Sequence, residues 1–199
     1  MTTAPGSADG VVYRLALPQD AGAIEALDGS FTTDTVFEVA AAETGFGFVL
    51  REVPVDPPVH KAFPPEEHDE QGVAGGGAGA GAVDSAADTR TYVALDGGEV
   101  CGFAAVGYAA WNRRLTIEDI EVEPGRRGRG IGRALMDCAD RFARERGAEH
   151  LWLEVSSVNA PAVHAYRRMG FTFCGLDTTL YGGTPAAGEQ ALFMSRPCS

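Results

Sequence analysis

Residues 121–147 read EVEPGRRGRGIGRALMDCADRFARERG. The stretch begins as the end of a strand in RRLTIEDIEVEP (113–124), which Pro124 ends. It passes through a run of glycine and arginine and becomes a regular amphipathic helix. Ile131, Leu135, Ala139 and Phe142 recur on one face, Arg133, Asp137, Asp140 and Arg144 fall largely elsewhere, and Gly147 closes the run. A helix whose first turn is nearly bare of side chains leaves backbone N–H groups open and turns the positive end of its dipole outward. Gly130 and Gly132 permit close backbone approach, and Arg126, Arg127 and Arg129 can neutralise several phosphate charges. A phosphate-bearing ligand fits such a place. The nucleotide-hydrolase loop GxxxxGK[ST] is excluded, because no lysine and hydroxyl follow these glycines at that spacing. The dinucleotide pattern GxGxxG fails too, since Arg133 or Leu135 stands where its last small residue belongs.

Outward from this stretch the chain alternates strands and helices. Upstream, residues 11–16 read as a short strand, and a helix is expected between Pro18 and Gly29. FGFVLREVPV (46–55) alternates as a second strand, after which Pro54, Pro57, Pro58, Pro64 and Pro65 are expected to end regular structure. Residues 66–88, acidic and then rich in glycine and alanine, are expected to form a flexible surface loop, and residues 1–9 a disordered N-terminus. TRTYVAL, EVCGFAAVGYAAW and RRLTIEDIEVEP form an antiparallel meander, its first turn marked by Asp96, Gly97 and Gly98. Downstream come the strand HLWLEV, a helix from Pro161 to Gly170, and strands in FTFCGLDTTLY and EQALFMS. This order predicts one α+β domain over residues 1–199, an α/β sandwich with a mixed, mostly antiparallel central sheet flanked by helices.

Composition narrows the partners. The 199 residues carry 28 acidic and 16 basic side chains, a formal charge of −12 that disfavours nucleic acid and anionic membranes and favours cationic partners. No apolar stretch approaches the roughly 20 residues that span a bilayer. The first residues show no leader pattern, so the expected compartment is the cytoplasm. Cys101, Cys138, Cys174 and Cys198 form no CxxC pair, which argues against a metal cluster and for reduced, mostly buried thiols.

IEVEPGRRGRGIGRALM resembles motif A of the GNAT superfamily of acyl-CoA-dependent N-acetyltransferases, a strand leading into R/Q-x-x-G-x-G/A, matched here by Arg127, Gly130 and Gly132. The resemblance implies acetyl-CoA as co-substrate. Amides from Arg127 through Gly128, Arg129, Gly130 and Ile131 to Gly132 would grip its pyrophosphate, and the strand around Ile120 and Val122 would bond the pantetheine arm. NAPAVHAYRRMGF is similar to a second family signature, with Asn159, Ala162, Tyr166, Gly170 and Phe171 in register; it implies that Asn159 serves the cofactor side and Tyr166 the chemistry. Across most of the chain, AIEALDGSFTTDTVF, REVPVDPP, AWNRRLTIEDIEV and GEQALFMSRPC resemble the streptothricin (nourseothricin) acetyltransferases of that superfamily. These acetylate an amine of the antibiotic's β-lysine moiety, so the resemblance implies a cationic small-molecule amine as acceptor and leaves room for a homodimer.

Amide formation from a thioester needs a neutral amine, and an amine with a pKa near 10.4 arrives protonated, so a carboxylate must help remove the proton. Strict alternation along LTIEDIEV puts Thr116, Glu118, Ile120 and Val122 on one face and Ile117, Asp119 and Glu121 on the other, and one bulge would exchange the sets. Glu118 is the first candidate base and Asp119 the second, while Glu121 and Glu123 read as a charged outer face. Tyr166 is the candidate acid for the departing thiolate. No cysteine lies in a motif that suggests an acyl-enzyme, which favours direct attack. Asp28, Asp34 and Glu38, in the region where the family builds its acceptor pocket, and Trp111 are candidates for lining the site of a cationic substrate. Acetylation of a protein lysine or N-terminus, and a non-catalytic coenzyme A or drug binder, remain alternatives.

Overall fold

The computed structural model describes residues 10–45, 47–62 and 88–198. In chain order the elements are β1 (Val12–Leu15), α1 (Ala21–Glu25), β2 (Phe31–Ala41), β3 (Phe48–Lys61), β4 (Asp88–Asp96), β5 (Glu99–Ala109), β6 (Arg114–Val122), α2 (Ile131–Arg146), β7 (His150–Ser156), α3 (Ala160–Arg168), β8 (Thr172–Asp177) and β9 (Ala191–Pro197). The described residues group into two compact units, one of 10–29, 62, 88–152 and 197–198, the other of 30–45, 47–61 and 153–196. The expected loop at 66–88 and disordered terminus at 1–9 lie outside the described residues, except that Asp88 already belongs to β4.

In the first unit the strands run in the order β1-β4-β5-β6, every neighbour antiparallel. The β4–β5 turn forms because Gly97 and Gly98, at φ 63° and 93°, accept the left-handed backbone that a two-residue hairpin needs. Helix α2 packs on β4, β5 and β6. Its apolar stripe buries Ile131, Leu135, Met136 and Phe142 to within 2 % of complete, each contributing roughly 1.5–3 kcal/mol. The helix ends where Gly147 turns left-handed at φ 66° and returns its N–H to the carbonyls of Ala143 and Arg144. The first helix is shorter than expected. A 3-10 turn over Pro18–Asp20 leads into α1, which stops at Ala26, well before Gly29.

In the second unit β2 and β3 form an antiparallel hairpin, and β7, β9 and β8 lie side by side in that order. The sequence reading has no strand at β2, although Thr32, Thr33, Thr35, Val36 and Val39 are β-branched and suit one. Nor do Pro54, Pro57 and Pro58 end β3. The register jumps from Thr35↔Pro54 to Thr33↔Val59, so Pro57 and Pro58 fall in a bulge where no ladder N–H is required. β8 is shorter than FTFCGLDTTLY suggested, because Asp177 Oδ1 accepts from the amides of Thr179 and Leu180 and from Thr179 Oγ1, turning the chain. Cys101 and Cys138 are buried as expected, but Cys174 is exposed on β8 and Cys198 half-exposed; none of the four is in a disulfide.

Candidate active site

The glycine-arginine stretch is built as an open helix start. A 3-10 turn over Pro124–Arg126 leaves β6, and the backbone then takes left-handed values at Gly128 (φ 78°) and Gly130 (φ 84°), which glycine accepts without strain. Gly130 is the N-cap of α2, so no side chain caps the helix, and no acid stands in its first turn. A β-carbon at Gly125, Gly128 or Gly130 would meet nothing within 4 Å. The first amides of α2 have no intrahelical acceptor, and the dipole adds partial positive charge where they point.

Arg126, Arg127 and Arg129 all have partners within the protein. Arg126 and Arg129 both pair with Asp96 on the β4–β5 turn, Arg129 at 2.9 Å, which holds the Asp96 carboxyl below its ordinary value through the Arg129 bond first. Arg127 donates from Nε to the Val122 carbonyl at 2.8 Å and from Nη2 to the Gly29 carbonyl at 3.1 Å. Its guanidinium staples the loop to the body of the unit.

β6 carries the acids, and a bulge sorts them. Asp119 faces Ala105 on β5 and Ile117 faces Val106, which leaves Glu118 as the extra residue. The shift of parity puts Leu115, Ile117, Ile120 and Val122 on the face toward α2, and Glu118, Asp119 and Glu121 together on the other. Contacts agree: Val122 packs near Gly102 and Gly132, whereas the Glu118 carboxylate lies over Gly107 and that of Glu121 over Gly29. Strict alternation, which grouped Glu118 with Ile120 and Val122, is corrected by this bulge.

Glu118 and Asp119 reach solvent but are ringed by protein, and desolvation raises Glu118 and pushes Asp119 up to about 6. Glu121 is half-buried and pushed up to about 7, by desolvation first and then by Asp119 and Asp28, with Arg127 opposing. Its reading as a plain outer-face charge is therefore replaced by that of a perturbed carboxyl within an acidic group. Asp28, expected to line the acceptor's place, stands beside Glu121.

Trp111 is 85 % exposed at the tip of the β5–β6 hairpin. Glu38 is exposed on β2, in register with Arg51 on β3. Asp34 lines a cavity of about 410 Å³ in the second unit with Thr32, Thr33, Thr35, Pro58, Pro161 and His164. The His164 ring meets Glu52 at 2.8 Å, and Glu52 also accepts from Thr35 Oγ1 at 2.8 Å. The four acceptor-side candidates are thus not gathered in one place within either unit.

Tyr166 is half-buried on α3, its ring tilted 60° against Phe171 with centroids 5.9 Å apart. Asn159 Oδ1 accepts from the Ala162 amide at 3.2 Å, which makes Asn159 the N-cap of α3. One group went unread in the sequence. On β7, Leu151, Leu153 and Val155 are buried, and Trp152, Glu154 and Ser156 point the other way. Glu154 accepts a hydrogen bond from the Tyr181 hydroxyl, and burial outweighs that bond, the positive charge of Lys61 included, to leave its carboxyl above the ordinary range. A carboxylate inside the apolar run HLWLEV was the available signal. Among the described residues no group of three His, Cys, Asp or Glu is placed to hold a metal ion, and no helix is long and apolar enough to cross a membrane.

An uncapped, acid-free helix start following a strand with a bulged acidic segment defines an acyl-CoA-dependent transferase of the kind the two motifs resemble. The chain matches the Acetyltransferase (GNAT) family over residues 55–171, and it belongs to that family. It is 62 % identical to the streptothricin acetyltransferase of Streptomyces lavendulae over 199 residues, 100 % of both chains. The crystal structure of nourseothricin acetyltransferase matches it with a TM-score of 0.82 at 60 % identity, covering 96 % of this chain and 99 % of that one. A Bacillus anthracis str. Ames protein solved in complex with acetyl coenzyme A shares the fold, with a TM-score of 0.71 at 22 % identity over 94 % of this chain and 99 % of its own. The fold is the GNAT fold, a mixed, mostly antiparallel sheet flanked by helices.

Proposed function

We propose that this protein transfers the acetyl group of acetyl-CoA to a primary amine on the β-lysine moiety of a streptothricin-class antibiotic, by direct attack, and so confers resistance. The observation that carries the donor half is the start of α2, where left-handed Gly128 and Gly130 present amides that no side chain caps. The acceptor half follows the full-length 62 % identity with the Streptomyces lavendulae enzyme. The run from Arg127 to Gly132 takes the diphosphate, and Ile120 and Val122 lie on the strand that takes the pantetheine.

The acceptor arrives as an ammonium ion. Glu118 and Asp119, solvent-accessible and on one face of β6, attract it. Removal of its proton needs a carboxylate of raised proton affinity; Glu118 and Asp119 have that as well, and the step is assigned to Glu154 because the Tyr181 hydroxyl also holds its carboxylate in place. The C–N bond forms as the thioester C–S bond breaks. Tyr166 gives its hydroxyl proton to the departing thiolate, and the gain comes mainly from alignment of amine and thioester.

Free-thiol release with acetyl-CoA and streptothricin, an aminoglycoside or a lysine peptide tests the reading. Release with streptothricin is expected, and none above background with the other two. Tyr166→Phe should lower turnover with little change in acetyl-CoA affinity. Absence of release from every acceptor, or preference for the peptide, overturns the reading.

A further inference from the structure

In the second unit Lys61, Glu189 and Ser156 form a polar network beside Glu154. Lys61 Nζ, at the end of β3, lies 2.6 Å and 2.5 Å from the two carboxylate oxygens of Glu189, just before β9. Both side chains are largely covered, at 20 % and 17 % exposure, so this pair is screened less than a surface one. The Ser156 hydroxyl donates to the same Glu189 carboxylate. Ser156 stands two residues after Glu154 on β7, on the same face. Glu189 and its lysine are therefore held over the face of β7 from which Glu154 projects, and the Tyr181 hydroxyl, from the turn after β8, bonds Glu154 directly.

We propose that Tyr181 and the Lys61–Glu189 pair set the proton-accepting strength of Glu154, and that Tyr181 also fixes the carboxylate in place as a positioning residue. The inference rests on the reading above, in which Glu154 takes the amine's proton. The titratable groups that face Glu154 act with different signs. The Tyr181 hydroxyl donates to the ionised carboxylate and favours it, the ammonium of Lys61 favours it through space, and the charge of Glu189 opposes it. Burial raises the carboxyl, and the hydroxyl and the lysine return it part of the way. The network balances two needs of a base: proton affinity high enough to take the amine's proton, and ionisation at working pH.

The test follows kcat/KM for acetyl transfer against pH in the full chain, comparing wild type with Tyr181→Phe, Lys61→Met, Glu189→Gln and Glu154→Gln. The acidic limb reports the free enzyme's base. Loss of the hydroxyl or of the ammonium should move that limb up by about one pH unit. Glu189→Gln should move it down by a similar amount, because an opposing charge is removed and Lys61 is released from its partner. Opposite shifts in variants of one network cannot come from general loosening of the fold. Glu154→Gln should lower turnover by roughly 100-fold or more. If Glu154→Gln keeps wild-type turnover, the base assignment in the underlying reading fails. If it is inactive while the limb stays fixed in Tyr181→Phe and Glu189→Gln, or moves the same way in both, the inference itself is overturned.

Discussion

The carboxylate of Glu121 rests on the α-carbon of Gly29: a β-carbon there would come within 2.5 Å of Oε1. The carboxylate end of Glu121 occupies the space a β-carbon would need, and the Gly29 backbone does not take the left-handed region. Arg127 closes the arrangement by donating to the Gly29 carbonyl, so β6, the loop before α2 and the segment after α1 meet at one point. Gly29→Ala is expected to cost up to about 1 kcal/mol, because the flexible end of Glu121 must swing aside. Adding Glu121→Ala should recover most of that loss. Thermal unfolding of both single variants and the double variant decides the matter, because an undiminished cost in the double variant would place the strain elsewhere.

Gly130 has a different reason to be glycine. It opens α2 at φ 84°, where any other L-residue carries strain of about 1–2 kcal/mol, and under the proposed function its bare face is the approach to the first amides for the diphosphate. Gly130→Ala should weaken coenzyme A binding about tenfold, equivalent to roughly 1.4 kcal/mol. Gly125, equally open but without a left-handed backbone, provides the comparison. Calorimetric titration should find Gly125→Ala within about twofold of wild type; equal losses in the two variants would remove the special role of the helix start.

The perturbed acids on β6 make stability depend on pH. Asp119 and Glu121 sit at about 6 and about 7, above their ordinary values of 3.8 and 4.5, with desolvation the first cause in each. Raised folded values mean that the native state favours the protonated forms. Their contribution is intact below the unfolded values and is lost as pH rises through 6 and then 7. Asp119→Asn and Glu121→Gln should therefore leave denaturation midpoints unchanged near about pH 4 and raise them near about pH 8. Urea unfolding at both values checks this, and a gain of equal size at both would contradict a titrating origin.

What the sequence made legible and what it hid divide by the range of the interactions. Helix α2 and its bare start could be read because apolar spacing, a run of glycines and a closing Gly147 are local signals. β3 could not, since a proline excludes ladder pairing only where an N–H is required, and the bulge opposite Asp34 requires none. The grouping of Glu118, Asp119 and Glu121 depends on the register between β5 and β6, which alternation along a single strand leaves undetermined. The surroundings of Glu154 were further out of reach. Its hydroxyl partner lies 27 residues away, and the Lys61–Glu189 pair joins residues 128 apart.

Asn159 separates a helix-capping role from a cofactor role by experiment. Its Oδ1 accepts from the Ala162 amide, and α3, only nine residues long, carries Tyr166. A helix of that length depends on its cap, since nucleation is unfavourable and few backbone bonds offset it. Asn159→Ala should cost about 1 kcal/mol of stability and lower turnover by loosening the helix under Tyr166. Asn159→Asp keeps the capping oxygen and places negative charge at the helix start, where the dipole welcomes it, so both stability and turnover should return. A direct amide contact to the acetyl donor predicts the reverse for the aspartate, because the added charge would repel a diphosphate and raise KM for acetyl-CoA while stability stayed intact. The two variants, measured for melting temperature and for KM and kcat separately, therefore assign Asn159 to α3 or to the donor by the behaviour of the aspartate alone.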